Sequence, residues 1–336
     1  MEENNQAILL LTAHFTPSRR CEESPLTPTE YGRLALWLHE KKLQPKDFLH
    51  RQDEALVDWV DPKGKITADR LRFLLGRGMA MGVALDKWDS AGLWILTRAD
   101  KQYPARLKQF LGQNTPPVLF GAGDPRRLNT GGLAMIGSRN IGQADEDFTS
   151  RIAKQAAFEG LNIVSGGARG VDETAMLASL NSEGTALGVL ASDLLKAALS
   201  AKWRKYIKAG ELTLVSNCYP EAPFHAGNAM GRNKYIYCLS DYALVVRADE
   251  GKGGTWSGAK EDLKNQWVPL FVQDAPGLDG NRALIRFGAT SLASPKAALQ
   301  SKEWLRGLLS KPVPMKPQSE ESAGGTPIQK GLFDEG

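Results

Sequence analysis

The sequence predicts an α/β protein in which helices cover both faces of a mainly parallel β-sheet. From Gly132 onward, short apolar runs that end on glycine or a polar turn alternate with helix-length segments. The runs are apolar throughout rather than at every second position, which is typical of strands buried on both faces. Strands of this kind that alternate with helices indicate a doubly wound, Rossmann-like architecture.

Before this region, the first ninety residues are predicted to form a small helical module. Thr27–Glu30 gives a capped start to a helix that continues through Leu38, and Ala68–Met79 has the apolar spacing of a second helix. A bridging segment from Trp94 leads to Pro116–Gly121, which predicts a short buried strand.

The regular part of the chain then supplies the remaining strands and helices. Six strands are predicted at residues 133–136, 162–164, 186–190, 212–215, 242–246 and 269–272. Five helices are predicted between them at residues 144–159, 172–180, 202–208, 234–239 and 257–266.

Three regions result from this division. They are a helical module at 1–92, a Rossmann-like domain at 93–290, and a helix remnant with a flexible tail at 291–336. After Leu309 the chain is rich in Pro, Ser, Glu and Gly, a composition typical of disorder.

Composition excludes several classes of protein. The 336 residues carry a formal charge of +4, and the acidic tail from residue 319 contributes −3, which leaves +7 on the body. No apolar run approaches the roughly 20 residues of a membrane span. The N-terminus lacks the basic start of a secretory signal, and the three widely spaced cysteines favour neither a disulfide framework nor a structural zinc site. These features predict a cytoplasmic location.

Glycine marks the candidate site. In a parallel sheet, ligands bind at the carboxyl ends of the strands, where turns and helix N-termini present backbone N–H groups. Four glycine clusters are predicted at this edge, and each contains a cation or hydroxyl suited to phosphate. The clusters are Gly137–Gly142, Ser165–Asp172, Gly227–Lys234 and Glu250–Thr255. Together they predict an anion pocket.

Standard nucleotide motifs are missing from these clusters. The sequence contains no G-x-x-x-x-G-K-[ST] loop, and no G-x-G-x-x-G follows the first of the regular strands. It also lacks an evident Ser-His-Asp or Cys-His set, and His225 has no carboxylate or cysteine at metal-ligand spacing. We therefore expect a non-catalytic protein without a cofactor or a metal.

The glycine clusters also carry a resemblance to a known family. Met135–Arg139, Val164–Asp172, Gly231–Ile236 and Lys252–Thr255 resemble the DNA-processing protein A (DprA/Smf) family. The segment from Asp100 to Gly121 is similar to that family's entry into its Rossmann-like domain, so the resemblance covers about Trp94 to Ala289 in the family's order.

This resemblance implies an extended Rossmann fold that binds single-stranded DNA through its phosphates. It also implies a homodimer and, in natural transformation, the handing of DNA to the RecA recombinase. With the glycine turns, the predicted phosphate-binding residues are Gly137, Ser138, Arg139, Gly166, Gly167, Arg169, Arg232, Asn233, Lys234, Lys252, Gly253, Gly254 and Thr255.

The sequence departs from the family pattern at several positions. Met176 replaces the histidine that usually follows the equivalent of Asp172, and Arg247 stands where an acid is expected. We expect no winged-helix module after Ala289. The pathway therefore stays open between DNA uptake, recombination and defence.

Aromatic residues near the cations suggest base stacking. We predict that Tyr235 stacks on bases and that Tyr237 covers the sheet, while Trp256 is compatible with either role. The basic and aromatic segment Trp203–Lys208 is interpreted as a solvated helix face. Asp172 has two interpretations of equal weight, as a group that orients Arg169 or a ligand and as a helix N-terminal acid.

The sequence is also compatible with two alternatives to DNA binding. The first is a nucleotide-binding sensor or a nucleotide-cleaving enzyme that uses the same edge. Such an enzyme, similar to the cytokinin-activating phosphoribohydrolases, would need a glutamate close after the glycine turn, whereas Glu261 comes six residues after Thr255. The second is a scaffold that recruits other proteins through the helical module and the tail.

The tail contains a short peptide that resembles a docking motif. Residues 329–333 resemble the Q-x-x-L-F peptide by which bacterial proteins dock on the replicative sliding clamp, with Gln329, Leu332 and Phe333 as the contact residues.

Overall fold

A computed structural model describes residues 1–16, 23–293 and 303–310 of the chain. Its centre is a nine-stranded sheet in the order β1-β2-β6-β5-β4-β3-β7-β8-β9. The β1–β2 and β2–β6 pairs are antiparallel, and every other neighbouring pair is parallel. The strands are β1 Leu93–Thr97, β2 Val118–Ala122, β3 Leu133–Ile136, β4 Ile163–Ser165, β5 Ala186–Val189, β6 Leu212–Ser216, β7 Tyr242–Val245, β8 Leu270–Asp274 and β9 Thr290–Ala293.

Helices precede the sheet and connect its strands. Those before the sheet are α1 Glu3–Thr12, α2 Pro28–Glu40, α3 Asp47–His50, α4 Gln52–Leu56, α5 Ala68–Leu75 and α6 Gly78–Ser90. Those that follow are α7 Ala105–Leu111, α8 Gln143–Phe158, α9 Val171–Leu180, α10 Leu194–Leu199, α11 Ala201–Lys208, α12 Ala226–Cys238, α13 Gly253–Asn265, α14 Asp279–Arg286 and α15 Trp304–Leu309.

The predicted fold class is confirmed, and the predicted strands agree with the observed ones to within one or two residues at each end. Two edge strands, β1 and β9, were not predicted. β1 lies in the segment interpreted as a bridge, and it is a strand because it pairs along its whole length with β2. β9 has the sequence Thr-Ser-Leu-Ala, in which a single buried leucine gives no apolar run to detect.

The largest difference concerns α12. The prediction placed a glycine turn at residues 227–234 and began the helix at Lys234, whereas the helix begins at Ala226 and includes that whole segment. His225 caps it, since its Nδ1 accepts a hydrogen bond from the Gly227 N–H at 3.1 Å. Gly231 sits in the helix with open space around it, so it is not a turn residue.

The N-terminal helices and the sheet share one hydrophobic core. Trp88 of α6 packs its ring edge-on to Phe120 of β2, with the ring centroids 5.1 Å apart. The buried face of α1, from Ile8 to Leu11, belongs to the same cluster as Leu133 and Met135 of β3. A second cluster fills the other face of the sheet, beneath α12 and α13. The predicted domain boundary at residues 92 and 93 stays a prediction.

The short helix α15 packs against the end of α8. Its Leu305 and Leu309 are buried, and the Glu159 carboxylate accepts the backbone N–H groups of Leu305 at 2.7 Å and Arg306 at 2.8 Å. The predicted tail and its Gln329, Leu332 and Phe333 peptide lie outside the described residues. Within the described residues, no helix is long and apolar enough to cross a membrane.

Candidate functional site

A cavity of about 500 Å³ opens at the carboxyl ends of β3 and β7, below the first turns of α12 and α13. We call it the sheet-edge pocket. It combines glycine-rich backbone with four cationic side chains. Its lining includes Gly137, Ser138, Arg139, Asp172, Phe224, Met230, Arg232, Asn233, Arg247, Asp249, Lys252, Gly253, Gly254 and Thr255.

One wall of the pocket is built from two loops that hold each other in place. The Ser138 carbonyl accepts the Val171 N–H at 3.3 Å, and Gly170 approaches it so closely that an added Cβ would lie 2.4 Å from the Ser138 oxygen. Gly170 also has a φ of +93°, a conformation that favours glycine. Beside it, Arg169 Nη2 donates to Asn140 Oδ1 at 2.8 Å. The loop after β4 therefore fixes the loop that carries Ser138 and Arg139.

The floor of the pocket is a buried arginine. Arg232 is only 5% exposed, and its Nε and Nη1 atoms have no hydrogen-bond acceptor among the described residues. Gly166 lies against it, since an added Cβ would come within 1.9 Å of Arg232 Nη1 and 2.5 Å of Asp172 Oδ2. Buried polar groups are nearly always hydrogen-bonded. The guanidinium thus has the donor capacity to bind an anion that enters the pocket.

Asp172 and Arg232 influence each other's ionisation. Burial raises the pKa of Asp172 to about 6, while the charge of Arg232 and backbone N–H groups, including that of Ala168, oppose this rise. Burial lowers the pKa of Arg232, and Asp172 opposes that shift. An arginine keeps its proton in proteins. At neutral pH the floor therefore combines a charged guanidinium with a carboxylate held by backbone donors, and Asp172 lies in the first turn of α9.

The opposite wall is the N-terminus of α13, a helix of 13 residues. Gly253 has a φ of +77°, which lets the chain turn from Lys252 into the helix. Asn233 of α12 braces this turn, because its Nδ2 donates to the Gly254 carbonyl at 3.0 Å. Free N–H groups at a helix N-terminus favour anions.

A second cavity of about 640 Å³ adjoins the pocket at the ends of β4 and β5. The two share Arg139, Ala168, Phe224 and Arg232 as lining residues. We call it the second cavity. Its further lining consists of Gly166, Gly167, Arg169, Leu190, Ala191, Ser192, Asp193, Lys196, Ala197, Ser200, Lys202 and Trp203.

The structure brings most of the predicted site residues together. Nine of the thirteen predicted phosphate-binding residues line the sheet-edge pocket, and Gly166, Gly167 and Arg169 line the second cavity. Lys234 lines neither of them, and its Nζ lies 5.5 Å from the centroid of the Tyr235 ring.

The base-stacking role predicted for Tyr235 is wrong. Its ring is 4% exposed and packs in the core beneath α12, so neither face is accessible to a base. The prediction placed it in a turn, whereas the helix that begins at Ala226 directs this position toward the sheet. Tyr237 is fully buried and covers the sheet as predicted.

The exposed aromatic side chain of the site is Phe224, which sequence reasoning missed. It is 53% exposed, lines both cavities, and has the Arg139 guanidinium carbon 4.9 Å from its ring centroid. A signal was available, because a phenylalanine in a Pro-Phe-His segment between a strand and a helix is an unusual loop residue.

The loop that carries Phe224 is supported from outside the sheet. Tyr219 packs edge-on to Trp88 of α6 with ring centroids 5.9 Å apart, and its hydroxyl donates to Glu221 Oε1 at 2.9 Å. Glu221 also pairs with Lys87 of α6. The N-terminal helices therefore hold one wall of the site.

Arg247 is a second lining residue that the sequence prediction does not include. It lines the sheet-edge pocket, and its Nε donates to Asp145 Oδ2 at 2.6 Å. Asp145, on α8, is buried, so the arginine that replaces the expected acid has its own counter-ion. The other substituted residue, Met176, is fully buried and faces Gly188 of β5, where an added Cβ would lie 2.9 Å from its Cε.

The structure also shows where the remaining sequence candidates lie. His225 is exposed and acts as a helix cap, and the described ranges contain no group of three or more His, Cys, Asp or Glu residues placed to hold a metal. Trp203 and Tyr206 of α11 are buried, while the lysines of that helix face solvent. Trp256 packs on Phe287, with ring centroids 6.0 Å apart.

Comparison with known proteins identifies the family. The family model described as DNA recombination-mediator protein A matches residues 94–303, which is more than half of the chain. The chain belongs to this family. The match begins in β1 and ends just before α15, so it covers the whole sheet and both cavities.

Two curated relatives are similar to about three fifths of the chain. The chain is 28% identical over 209 residues to "DNA processing protein DprA" of Bacillus subtilis, an alignment covering 60% of this chain and 69% of that protein. It is 29% identical over 211 residues to "Protein Smf" of Escherichia coli, covering 61% of this chain and 56% of that protein. The chain thus spans little more than half the length of the second relative.

Two solved structures of the family are similar in fold. The X-ray structure of DNA processing protein A from Streptococcus pneumoniae superposes with a TM-score of 0.56 at 19% identity, covering 80% of this chain and 95% of that one. The Helicobacter pylori protein, described for its single-stranded DNA binding mode, superposes with a TM-score of 0.52 at 25% identity, covering 65% of this chain and 95% of that one.

Proposed function

We propose that the sheet-edge pocket binds the phosphates of single-stranded DNA. The observation that carries this proposal is Arg232, a buried guanidinium with two unpaired N–H-bearing nitrogens at the floor of a cavity lined by further cations. Membership of the recombination-mediator family and the single-stranded DNA binding described for the Helicobacter pylori protein support the choice of DNA as the anion.

The geometry favours a single strand over a duplex. Phe224 presents an exposed ring beside Arg139, and bases that stack on aromatic rings must be unpaired. Backbone N–H groups and guanidinium groups bind phosphates without reading bases. Affinity should therefore be largely independent of sequence and should fall with salt, by about 0.7 log units per log unit of salt for each phosphate neutralised.

Fluorescence anisotropy with single- and double-stranded oligonucleotides at several salt concentrations tests the proposal. Arg139→Ala should weaken single-strand binding and lower the salt slope by about 0.7, because one phosphate contact is lost. Arg126→Ala is the matched control, since Arg126 is exposed and pairs with Asp124. It lies near the amino end of β6, away from the pocket, because the neighbouring Arg127 donates to the Gly210 carbonyl just before that strand. Lys234→Ala should have a smaller effect than Arg139→Ala.

Two results would contradict this function. One is a preference for duplex DNA, and the other is an Arg139→Ala variant that binds like the parent while its fold is intact by thermal denaturation.

The finer proposal is that the protein presents bound DNA to a RecA-type recombinase, in DNA uptake, recombination or defence, and that it acts as a homodimer. The family's description as a recombination mediator supports this role. The test is RecA filament assembly on single strands already coated with a single-strand-binding protein, with Arg139→Ala as the comparison. Equal assembly rates with and without the protein would reject it.

A sliding-clamp interaction through Gln329, Leu332 and Phe333 is a separate proposal, supported by the sequence of this peptide alone. Deletion of residues 329–336 should abolish binding to the clamp and leave DNA affinity unchanged.

A second candidate function is the binding of a free nucleotide, favoured by the volume of about 500 Å³, which suits a small ligand. Glu261 is exposed on α13 and does not line the pocket, which favours binding over cleavage. A thermal-shift screen against nucleotides separates this candidate from DNA binding, because a tightly bound nucleotide raises the melting temperature at concentrations well above its Kd.

A further inference from the structure

The second cavity differs from the sheet-edge pocket in its lining. Its floor is apolar, formed by Leu190, Ala191 and Trp203, and its rim carries Arg169, Lys196 and Lys202. Only Asp193 among its lining residues is acidic. This combination of an apolar floor and a cationic rim matches one nucleotide, whose base is apolar on its faces and whose phosphate is an anion.

The two cavities meet at the residues that hold the phosphate in the proposed function. Arg139, Phe224 and Arg232 line both of them. A phosphate bound to Arg232 would therefore have space on either side, which an internal phosphodiester requires for the two nucleotides that it joins. The exposed ring of Phe224 stands between these two spaces.

We propose that the second cavity binds the neighbouring nucleotide of the same DNA strand, with Lys196 and Lys202 on its phosphate. The inference rests on the proposed function. It adds a second nucleotide-binding site, formed by the end of β5 and by α10 and α11. With its internal phosphate on the shared Arg232 guanidinium and a terminal phosphate at the two lysines, a dinucleotide is the smallest ligand that fills both cavities.

The two lysines differ in how they are held. Lys196 is exposed on α10 and forms no ion pair with any residue in the described ranges. Lys202 pairs with Glu173 Oε1 at 2.8 Å, so a phosphate has to compete with this carboxylate. Loss of Lys196 should therefore remove more binding than loss of Lys202.

The experiment measures affinity and salt slope for oligothymidylates that grow by one nucleotide at a time. For the parent, affinity should rise clearly from a mononucleotide to a dinucleotide. Lys196→Ala should lower the salt slope in part, and the Lys196→Ala/Lys202→Ala double variant should lower it by about 0.7, because one phosphate contact is then lost. Both should reduce the gain from the second nucleotide.

Lys154→Ala is the matched control, because Lys154 is exposed on α8 and lines neither cavity. A double variant that keeps the slope and the length dependence of the parent would overturn the inference, provided that Arg139→Ala still weakens binding. If Arg139→Ala also has no effect, the proposed function itself fails, so the two failures are distinguishable.

Discussion

Gly166 is the residue at which the pocket tolerates the least change. A Cβ at this position would overlap both the guanidinium of Arg232 and the carboxylate of Asp172. The requirement is one of space rather than of backbone conformation, in contrast to Gly170 and Gly253, whose φ values are positive. A single methyl group at Gly166 should therefore act on the geometry of the anion site.

Gly166→Ala should weaken single-strand binding at least as much as Arg139→Ala and lower the free energy of unfolding by about 1–3 kcal/mol through overpacking. Gly231→Ala is the control, because its Cβ would meet open space on the surface of α12. A methyl there should stabilise the helix by about 0.5–1 kcal/mol. Chemical denaturation and anisotropy measure both effects, and equal behaviour of the two variants would contradict this account.

Asp262 predicts a pH dependence of stability. It is fully buried in α13, its Oδ1 accepts the Val268 N–H at 3.2 Å, and its Oδ2 has no partner within the described part of the chain. Burial raises the pKa of this carboxyl to about 8. Because the folded pKa lies above the unfolded one, the folded state binds more protons, and stability falls as the pH rises from about 4 to about 8.

Asp262→Asn should flatten the pH dependence of the melting temperature across this window, because the amide does not ionise. The parent should lose up to about 1.4 kcal/mol of unfolding free energy per pH unit relative to the variant. Asp86→Asn, at an exposed position of α6, is the control and should leave the pH dependence unchanged. Parallel curves for the parent and Asp262→Asn would show that Asp262 does not titrate in this range.

At the scale of elements, the site depends on how α12 and α13 meet. Asn233 links the third turn of one helix to the first turn of the other through the Gly254 carbonyl. This contact fixes the direction in which the N-terminal N–H groups of α13 point. The predicted role of Asn233 as a direct phosphate ligand stays a prediction, and the structure adds a positioning role for its amide.

Asn233→Ala should weaken DNA binding about fivefold, the equivalent of one hydrogen bond of about 1 kcal/mol. Asn265→Ala is matched to it, since Asn265 Nδ2 also donates to a backbone carbonyl of α13, that of Glu261, but at the far end of the helix. The control should bind DNA like the parent, and a loss of equal size in both variants would assign the effect to helix stability alone.

The same elements show what the sequence could and could not predict. The buried strands β3 to β8 were predictable because each is a continuous apolar run, and the glycines after β3, β4 and β7 marked the pocket. The start of α12 was missed because Gly227 and Gly231 disfavour a helix locally, and packing against the sheet overrides this preference. The burial of Tyr235 follows from that start, so it was not predictable without it.

For the molecule as a whole, the shared core implies a single unfolding unit. Trp88 is fully buried between Phe120 of the sheet, Tyr219 of the site loop and Phe15 near the end of α1. Its ring therefore connects the N-terminal helices, the antiparallel edge of the sheet and the loop that bears Phe224.

Trp88→Ala should destabilise the whole protein by about 3–5 kcal/mol. The helices and the sheet should still unfold in one transition. Met79→Ala, at an exposed position of the same helix, should change the stability little. Calorimetry with far-UV circular dichroism measures both variants. Two separate transitions in the parent would instead show that residues 1–92 form an independent domain.

The support that Lys87 and Trp88 give to Tyr219 and Glu221 has a consequence for engineering. A chimera that joins the sheet of this protein to the N-terminal region of a relative would lose the outer brace of the Phe224 loop unless both residues were transplanted with it. A ligand that moves the Phe224 loop should in turn displace α6, because the same contacts join the two. The N-terminal helices therefore support the pocket through this loop, although none of their residues lines it.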